Sequence, residues 1–271
     1  MKRYLVLSLM LVISFHSITT YARPLSHSQK ISCPSECAKQ SQFKIDIQYK
    51  DLDSTIKNKD GVVMLVVEGN SPVVTIENNK KATCDINDFY EGKEKAFEKM
   101  EKQYVKMAKK DYSARTKESK KYWAGYSLSR IYTTGRVDNK VISFIQNNNE
   151  YTGGAHPNAT RFAQNFNPCT GMRLTLKDIT KDECKAREVI HAYILKAVQK
   201  AAYKDYLSED YEAHIKDILT EDTWYFSDQG LVIISNEYII TPHAVGILEF
   251  TIPYNELTFI KLTFIKPCYL P

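Results

Sequence analysis

The sequence predicts an α+β protein, with antiparallel sheets and helices packed on one face, and three observations carry that prediction. Phe43, Ile45, Ile47 and Tyr49 alternate with polar residues, the period of two that marks a half-buried strand. Phe97, Met100, Tyr104 and Met107 recur at intervals of three and four, which places them on one face of an amphipathic helix with lysine and glutamate opposite. After that helix, aromatic and β-branched runs return at 122–134 and 141–151, as two strands joined through Gly135-Arg136-Val137-Asp138-Asn139-Lys140.

Taken in chain order, the elements begin with a leader. Met1-Lys2-Arg3, an apolar run from Tyr4 to Ile18 and the small residues of Thr20-Tyr21-Ala22 form the three parts of a secretory signal over residues 1–22. The run is short for a bilayer-spanning helix, and no later segment is apolar enough to span. Residues 23–42 are polar and aperiodic, an N-terminal arm. Two further strands follow the first, at Val62–Val67 and Val73–Ile76, separated by Glu68-Gly69-Asn70-Ser71-Pro72, a turn by composition. The helix over 88–118 and the strands at 122–134 and 141–151 come next, then a strand from Arg161 to Phe166, the turn Asn167-Pro168-Cys169-Thr170-Gly171 and a strand from Arg173 to Leu176.

Thr180 or Asp182 caps a long helix over about 183–203, with Val189, Tyr193, Ala197 and Ala201 at helical spacing, and a shorter helix covers about 209–219. Strands at Trp224–Phe226, Leu231–Ser235 and Gly246–Ile252 complete the fold. The tail repeats itself, Leu257-Thr-Phe-Ile-Lys261 followed by Leu262-Thr-Phe-Ile-Lys266. A five-residue period matches neither helix nor strand, so the two copies are expected to present different faces. The chain divides into the signal, the arm, an α+β subdomain over 43–150 and an α+β domain over 151–271.

Composition narrows the function. The 271 residues are 43% hydrophobic, enough to bury a real core and to exclude disorder. The formal charge of +5 falls to +3 when Lys2 and Arg3 leave with the signal, too mild to imply a nucleic-acid partner. The basic stretch from Lys93 to Lys121 interleaves Glu94, Glu98, Glu101, Asp111 and Glu118, so it reads as a solvated helix face rather than a phosphate-binding surface. Cys33, Cys37, Cys84, Cys169, Cys184 and Cys268 all follow the signal, an even number suited to disulfides in an oxidising compartment. Cys169, in a turn, is expected to pair with Cys184 across a loop of about fifteen residues, which stabilises by roughly 3 kcal/mol, and no free thiol is expected.

Catalytic signatures are largely missing. There is no Gly-x-Ser-x-Gly, no His-Glu-x-x-His and no Gly-x-x-x-x-Gly-Lys-Ser/Thr. After the signal the histidines are His27, His156, His191, His214 and His243, none close enough to another for a metal site on a single helix, so neither a metal nor a cofactor is expected. The stretch Tyr151-Thr-Gly-Gly-Ala-His-Pro-Asn158 lies between two antiparallel strands. Gly153-Gly154 supplies positive φ at little steric cost, so a structural turn is the first reading and a ligand contact by His156 the second.

Tyr151-Thr-Gly-Gly-Ala-His156, then Asn165-Phe166-Asn167, Thr170-Gly171 and Leu174-Thr175-Leu176-Lys177-Asp178-Ile179, resemble a bacterial extracytoplasmic family catalogued as domain of unknown function 3298. Trp224 to Leu231, Tyr238-Ile-Ile-Thr-Pro242-His-Ala-Val-Gly246 and Ile252-Pro-Tyr254-x-x-Leu257 are similar to its later half in the same order. That domain resembles the outer part of the lysozyme-sensing anti-sigma factor RsiV and the non-catalytic N-terminal part of the peptidoglycan deacetylase PdaC, with a fainter likeness over 43–150 to the domain that precedes it. The resemblance implies a periplasmic or secreted, non-enzymatic protein. Its implied partners are a lysozyme-like muramidase or a peptidoglycan glycan fragment at the cell envelope, without stable membrane insertion after signal cleavage.

The residues to watch are then Tyr151, Gly153, Gly154, His156, Tyr238, Pro242 and His243, with Pro242 stiffening a contact loop and His243 at its tip. An acidic cluster of Glu209, Asp210, Glu212 and Asp217 would attract a cationic partner. Two other classes stay open: a hydrolase, which requires His156 and His243 to share a cleft with a carboxylate or thiol, and a host-directed secreted factor.

Overall fold

The computed structural model describes residues 44–266. The signal, the arm, Phe43, Cys33, Cys37 and Cys268 lie outside the described residues.

Strands β1 (Ile45–Asp51) and β2 (Ser54–Lys57) lie end to end along one edge of β3 (Val63–Ile76), with Ile45 opposite Ile76 and Ser54 opposite Val67. The turn expected over 68–72 is instead the middle of β3. Composition misleads here because the second edge of β3 is only half occupied. Strand β4 (Tyr126–Val137) pairs with it from Leu65↔Tyr126 to Gly69↔Arg130 and then diverges. Side chains take over beyond that point. The Asn70 carboxamide donates to Tyr132 O and accepts from Tyr132 N at 3.2 and 2.7 Å. Asn87 bonds both N and O of Val74, and Thr83 Oγ1 accepts from Ile76 N. Backbone groups that lose a strand must find another partner, and proline, which lacks the N–H, is tolerated where the ladder is one-sided.

Thr83 and Asn87 belong to helix α1 (Lys80–Ala114), capped where Asn79 accepts from Ala82 N. Its buried side chains are Ala82, Ile86, Tyr90, Phe97 and Ala108, while Met107 is 48% exposed. The predicted stripe therefore continues from Tyr104 to Ala108 rather than to Met107, as 3.6 residues per turn requires. A short helix, α2 (Lys117–Lys120), leads into β4. This helical crossover returns β4 parallel to β3, among the described residues the one exception to the antiparallel pairing expected. Strands β5 (Ile142–Tyr151) and β6 (Asn158–Phe166) then add antiparallel, giving the order β1-β3-β4-β5-β6 with β2 on β3.

Of the strand expected at 173–176 only the bridge Phe166↔Arg173 forms. Thr175 and Asp178 make a capping box that starts helix α3 (Leu176–Ile179) instead. Asp182 caps α4 (Glu183–Val198), whose buried face is Ala186, Ile190, Ile194 and Val198, one residue along from the face expected, with Val189 exposed. Helix α5 (Tyr211–Ile218) precedes a three-stranded antiparallel sheet of β7 (Trp224–Phe226), β8 (Gly230–Ser235) and β9 (Leu248–Pro253). This sheet, α4 and α5 enclose a core around Trp224. Both repeats in the tail feed that core: Phe259, Ile260, Phe264 and Ile265 are all buried, and only Leu262 differs from its counterpart Leu257 by being exposed. Short turns of 3₁₀ helix at 254–256 and 262–264 break the regular period on which the opposite expectation rested.

The two sheets approach closely at Gly135, where a Cβ would lie 2.5 Å from Phe226 O and 2.9 Å from a Tyr225 ring carbon. Gly135→Ala is expected to cost about 1–3 kcal/mol through overpacking, measured by urea denaturation.

Cys169 is disulfide-bonded, whereas Cys84 and Cys184 are exposed free thiols, so the expected Cys169–Cys184 bridge does not form and the expectation of no free thiol is overturned. Asn79 Nδ2 donates to the carbonyls of Pro168 and Cys169 at 3.0 and 2.9 Å, which ties the Cys169 turn to the start of α1, while Cys184 sits in the first turn of α4.

Candidate functional site

The β5–β6 connection is a turn in which Gly153 and Gly154 take φ of +93° and +114°. An L side chain resists both values, so glycine is required there for the chain to reverse. Tyr151 Oη donates to Gly154 O at 3.2 Å across the turn. His156 Nδ1 lies 3.0 Å from Pro157 O, and because a carbonyl only accepts, this nitrogen carries the proton.

The second segment, between β8 and β9, is fastened to β6 by one carboxamide. Asn236 accepts from Arg161 N at 2.6 Å and donates to Arg161 O at 3.0 Å, so its side chain does the work of a paired strand residue. The chain then tightens, with Tyr238 at φ +65° and its N–H on Thr241 O, before Pro242 opens a single 3₁₀ turn over His243–Val245. A non-glycine residue held in that region costs about 1 kcal/mol or more, a strain that the surrounding structure must impose.

These two loops meet. The His156 and His243 rings stack with centroids 3.6 Å apart and planes at 13°, and the Tyr238 ring lies 6.2 Å from His243 on nearly parallel planes. His243 Nδ1 is 2.7 Å from Glu237 Oε2, and the Glu237 side chain is only 6% exposed. The carboxylate accepts, which fixes the proton on His243 Nδ1 and leaves Nε2 with the lone pair.

Beside the stack, the face of the large sheet turned away from α1 forms a groove of about 320 Å³. Glu68, Ser127, Ser129 and Asn149 line it, and Tyr151 and Pro157, which flank the His156 turn, form one wall. Arg161 braces the same region through Asn147 Oδ1 at 2.6 Å and Glu249 Oε1 at 3.0 Å. Tyr225 Oη donates to Glu249, and burial first, then the Glu249 charge, pushes its pKa well above the usual phenol value.

Of the seven candidate contact residues, Gly153, Gly154, His156, Tyr238, Pro242 and His243 fall on the two joined loops, and Tyr151 ends β5 beside the first of them. Glu237, Asn236 and the groove residues were not legible. Glu237 sits beside Tyr238 in the sequence yet looks like any solvated carboxylate until the fold buries it.

The other described histidines stand apart. Burial, then the Arg187 charge, lowers the pKa of His191 on α4. His214 on α5 bridges Asp217 and Asp210 at 2.9 and 3.1 Å, and these bonds raise its pKa, Asp217 contributing most. A raised histidine stabilises the fold fully below its unfolded pKa, and the contribution is lost as pH rises through the folded one. NMR titration should therefore give His214 a midpoint above the ordinary value of about 6.5, and Asp217→Asn should lower it.

Residues 56–159 match the family model described as deacetylase PdaC, and residues 177–255 match the protein of unknown function DUF3298. The two matches, over separate stretches, support a DUF3298/PdaC-like assignment for this chain. Its fold is similar to the crystal structure of a DUF3298 family member from Bacteroides fragilis, with a TM-score of 0.58 and 20% identity over 82% of this chain and 96% of that one. It is also similar to a DUF3298 family protein from Pseudomonas aeruginosa, with a TM-score of 0.51 and 17% identity over 83% of this chain and 97% of that one. No curated protein matches. Among the described residues no helix is long and apolar enough to cross a membrane.

Proposed function

We propose that this chain is an exported, non-enzymatic binding protein of the cell envelope, and that it takes glycan fragments of peptidoglycan in the groove beside the two-loop site. The observation that carries the reading is that the His156 and His243 rings stack while Tyr151 and Pro157, on either side of the His156 turn, line that groove. Hydroxyl and carboxamide groups from Ser127, Ser129 and Asn149 suit the alternating donors and acceptors of a sugar, and a flanking tyrosine supplies an apolar ring face for it. The disulfide at Cys169 suits an oxidising compartment.

A cationic muramidase is the weaker partner on this geometry. His214 occupies Asp210 and Asp217, and Tyr211 Oη donates to Glu212, so much of the acidic cluster is already engaged. The test is retention of the purified protein on peptidoglycan and on immobilised lysozyme, with product analysis of the bound glycan. Retention on peptidoglycan, weakened at least tenfold by a His156→Ala/His243→Ala double variant without new products, is expected. Release of cleaved or deacetylated sugar would replace the reading with that of an enzyme built on the His243–Glu237 pair.

A further inference from the structure

On the other side of β3, far along the chain from the two loops, lies a pocket of about 480 Å³ whose lining is basic. Lys57 reaches it from the end of β2, Lys59 from the β2–β3 connection, Lys109 from α1 and Lys120 from α2, and Tyr112 also lines it. Several lysines elsewhere on and around α1 are paired with carboxylates. Lys81 pairs with Asp85, Lys95 with Glu91, Lys50 with Glu94 and Lys121 with Glu118, at 2.5 to 2.9 Å. Among the described residues none of the pocket's four lysines has a carboxylate partner. Lys120 instead sits over the Tyr112 ring, 4.9 Å from its centroid. Asp60 is the one carboxylate in the lining, so four ammonium groups stand against one negative charge.

Self-repulsion among unpaired ammonium groups disfavours this arrangement when it is empty, and a multiply charged anion relieves it. Lysine, a compact point charge with three donors on a flexible stem, adapts to the oxygens of a phosphate without demanding one geometry. Two of the four lysines lie outside the 93–121 stretch, so the cluster is assembled by the fold and not by the composition of one helix.

We infer that this pocket binds a phosphate-bearing polyanion, independently of any glycan held at the two-loop site. The shared chemistry is a phosphate or pyrophosphate group, carried either by a soluble compound or by a lipid headgroup.

The purified protein is titrated with inorganic pyrophosphate by calorimetry and NMR at low and moderate salt. Saturable binding is expected, with amide shifts at Lys57–Asp60 and Lys109–Ser113, weakening as salt rises. Lys57→Gln/Lys109→Gln, two exposed positions, should leave the thermal midpoint of the free protein unchanged and weaken pyrophosphate by about tenfold for each lysine removed. Flotation with phosphatidylglycerol vesicles, lost in the same variant, assigns the headgroup source. Pyrophosphate binding without flotation assigns a soluble source. No saturable pyrophosphate binding, or binding that the double variant leaves unchanged, overturns the inference.

Discussion

Arg136→Ala is expected to destabilise the fold by about 3–5 kcal/mol, the cost of breaking a buried charged network from one side. The Arg136 side chain is 2% exposed, with Nε 2.6 Å from Asp138 Oδ2. Its Nη1 donates to Tyr254 Oη at 3.0 Å and also to Phe264 O, so a single guanidinium ties β4 to the chain after β9. It also lies over the rings of Phe226 and Tyr254, at 5.7 and 5.5 Å from their centroids. Burial pushes the Tyr254 hydroxyl up to about 12, with Arg136 opposing the rise. Removing the arginine would leave the Phe264 carbonyl without this donor and Asp138 without its buried counter-charge. Arg136→Lys should recover only part of the loss, because an ammonium cannot span three acceptors in a planar fork. Urea denaturation measures both, and a loss below about 1 kcal/mol for the alanine variant would show that water satisfies those groups.

Trp224→Ala should cost a similar 3–5 kcal/mol for a different reason, the cavity left in the core shared by α4, α5 and the small sheet. Trp224 is fully buried and makes an edge-to-face contact with Phe226 at 6.0 Å. Among the described residues its Nε1–H has no hydrogen-bond partner, so the residue is there for volume rather than for polarity. Trp224→Phe is therefore expected to lose much less, since the smaller ring gives up packing but also removes a buried donor that gains nothing. Thermal or urea unfolding separates the two, and equal losses would place a hidden partner on the indole.

Much of this architecture could be read before folding, and the misreadings share a cause. Strand alternation identified β1 to within two residues because a half-buried strand writes its two faces directly into the sequence. Pro72 failed as a turn signal because a proline breaks a strand only where its N–H would have been paired, and the loss of that pairing depends on where β4 diverges. The Arg173–Leu176 strand gave way to a capping box, a local interaction that outweighs a four-residue apolar pattern. Helix α4 was placed correctly, but its buried face was misassigned by one position, because Ile190 and Ile194 compete with Val189 and Tyr193 and only packing decides between them.

For the site, the sequence supplied the loops but not their meeting. Gly153-Gly154 and Pro242 are local signals of backbone conformation, so they point to their own segments. The contact between His156 and His243 depends on Asn236 acting as a strand residue against Arg161, a long-range bond with no local signature. The same holds for the lysine pocket, whose members come from three elements.

The central claim is that two loops distant in sequence form a single ligand-contacting site at the edge of the open sheet face. Chemical-shift mapping of the protein with a soluble muropeptide tests it most directly. The expected result is a saturable set of shifts confined to Tyr151–His156, Tyr238–His243, Ser127, Ser129 and Asn149, moving with one common affinity and abolished together by His243→Ala. Shifts in one loop without the other, or a response centred on α5, would contradict it.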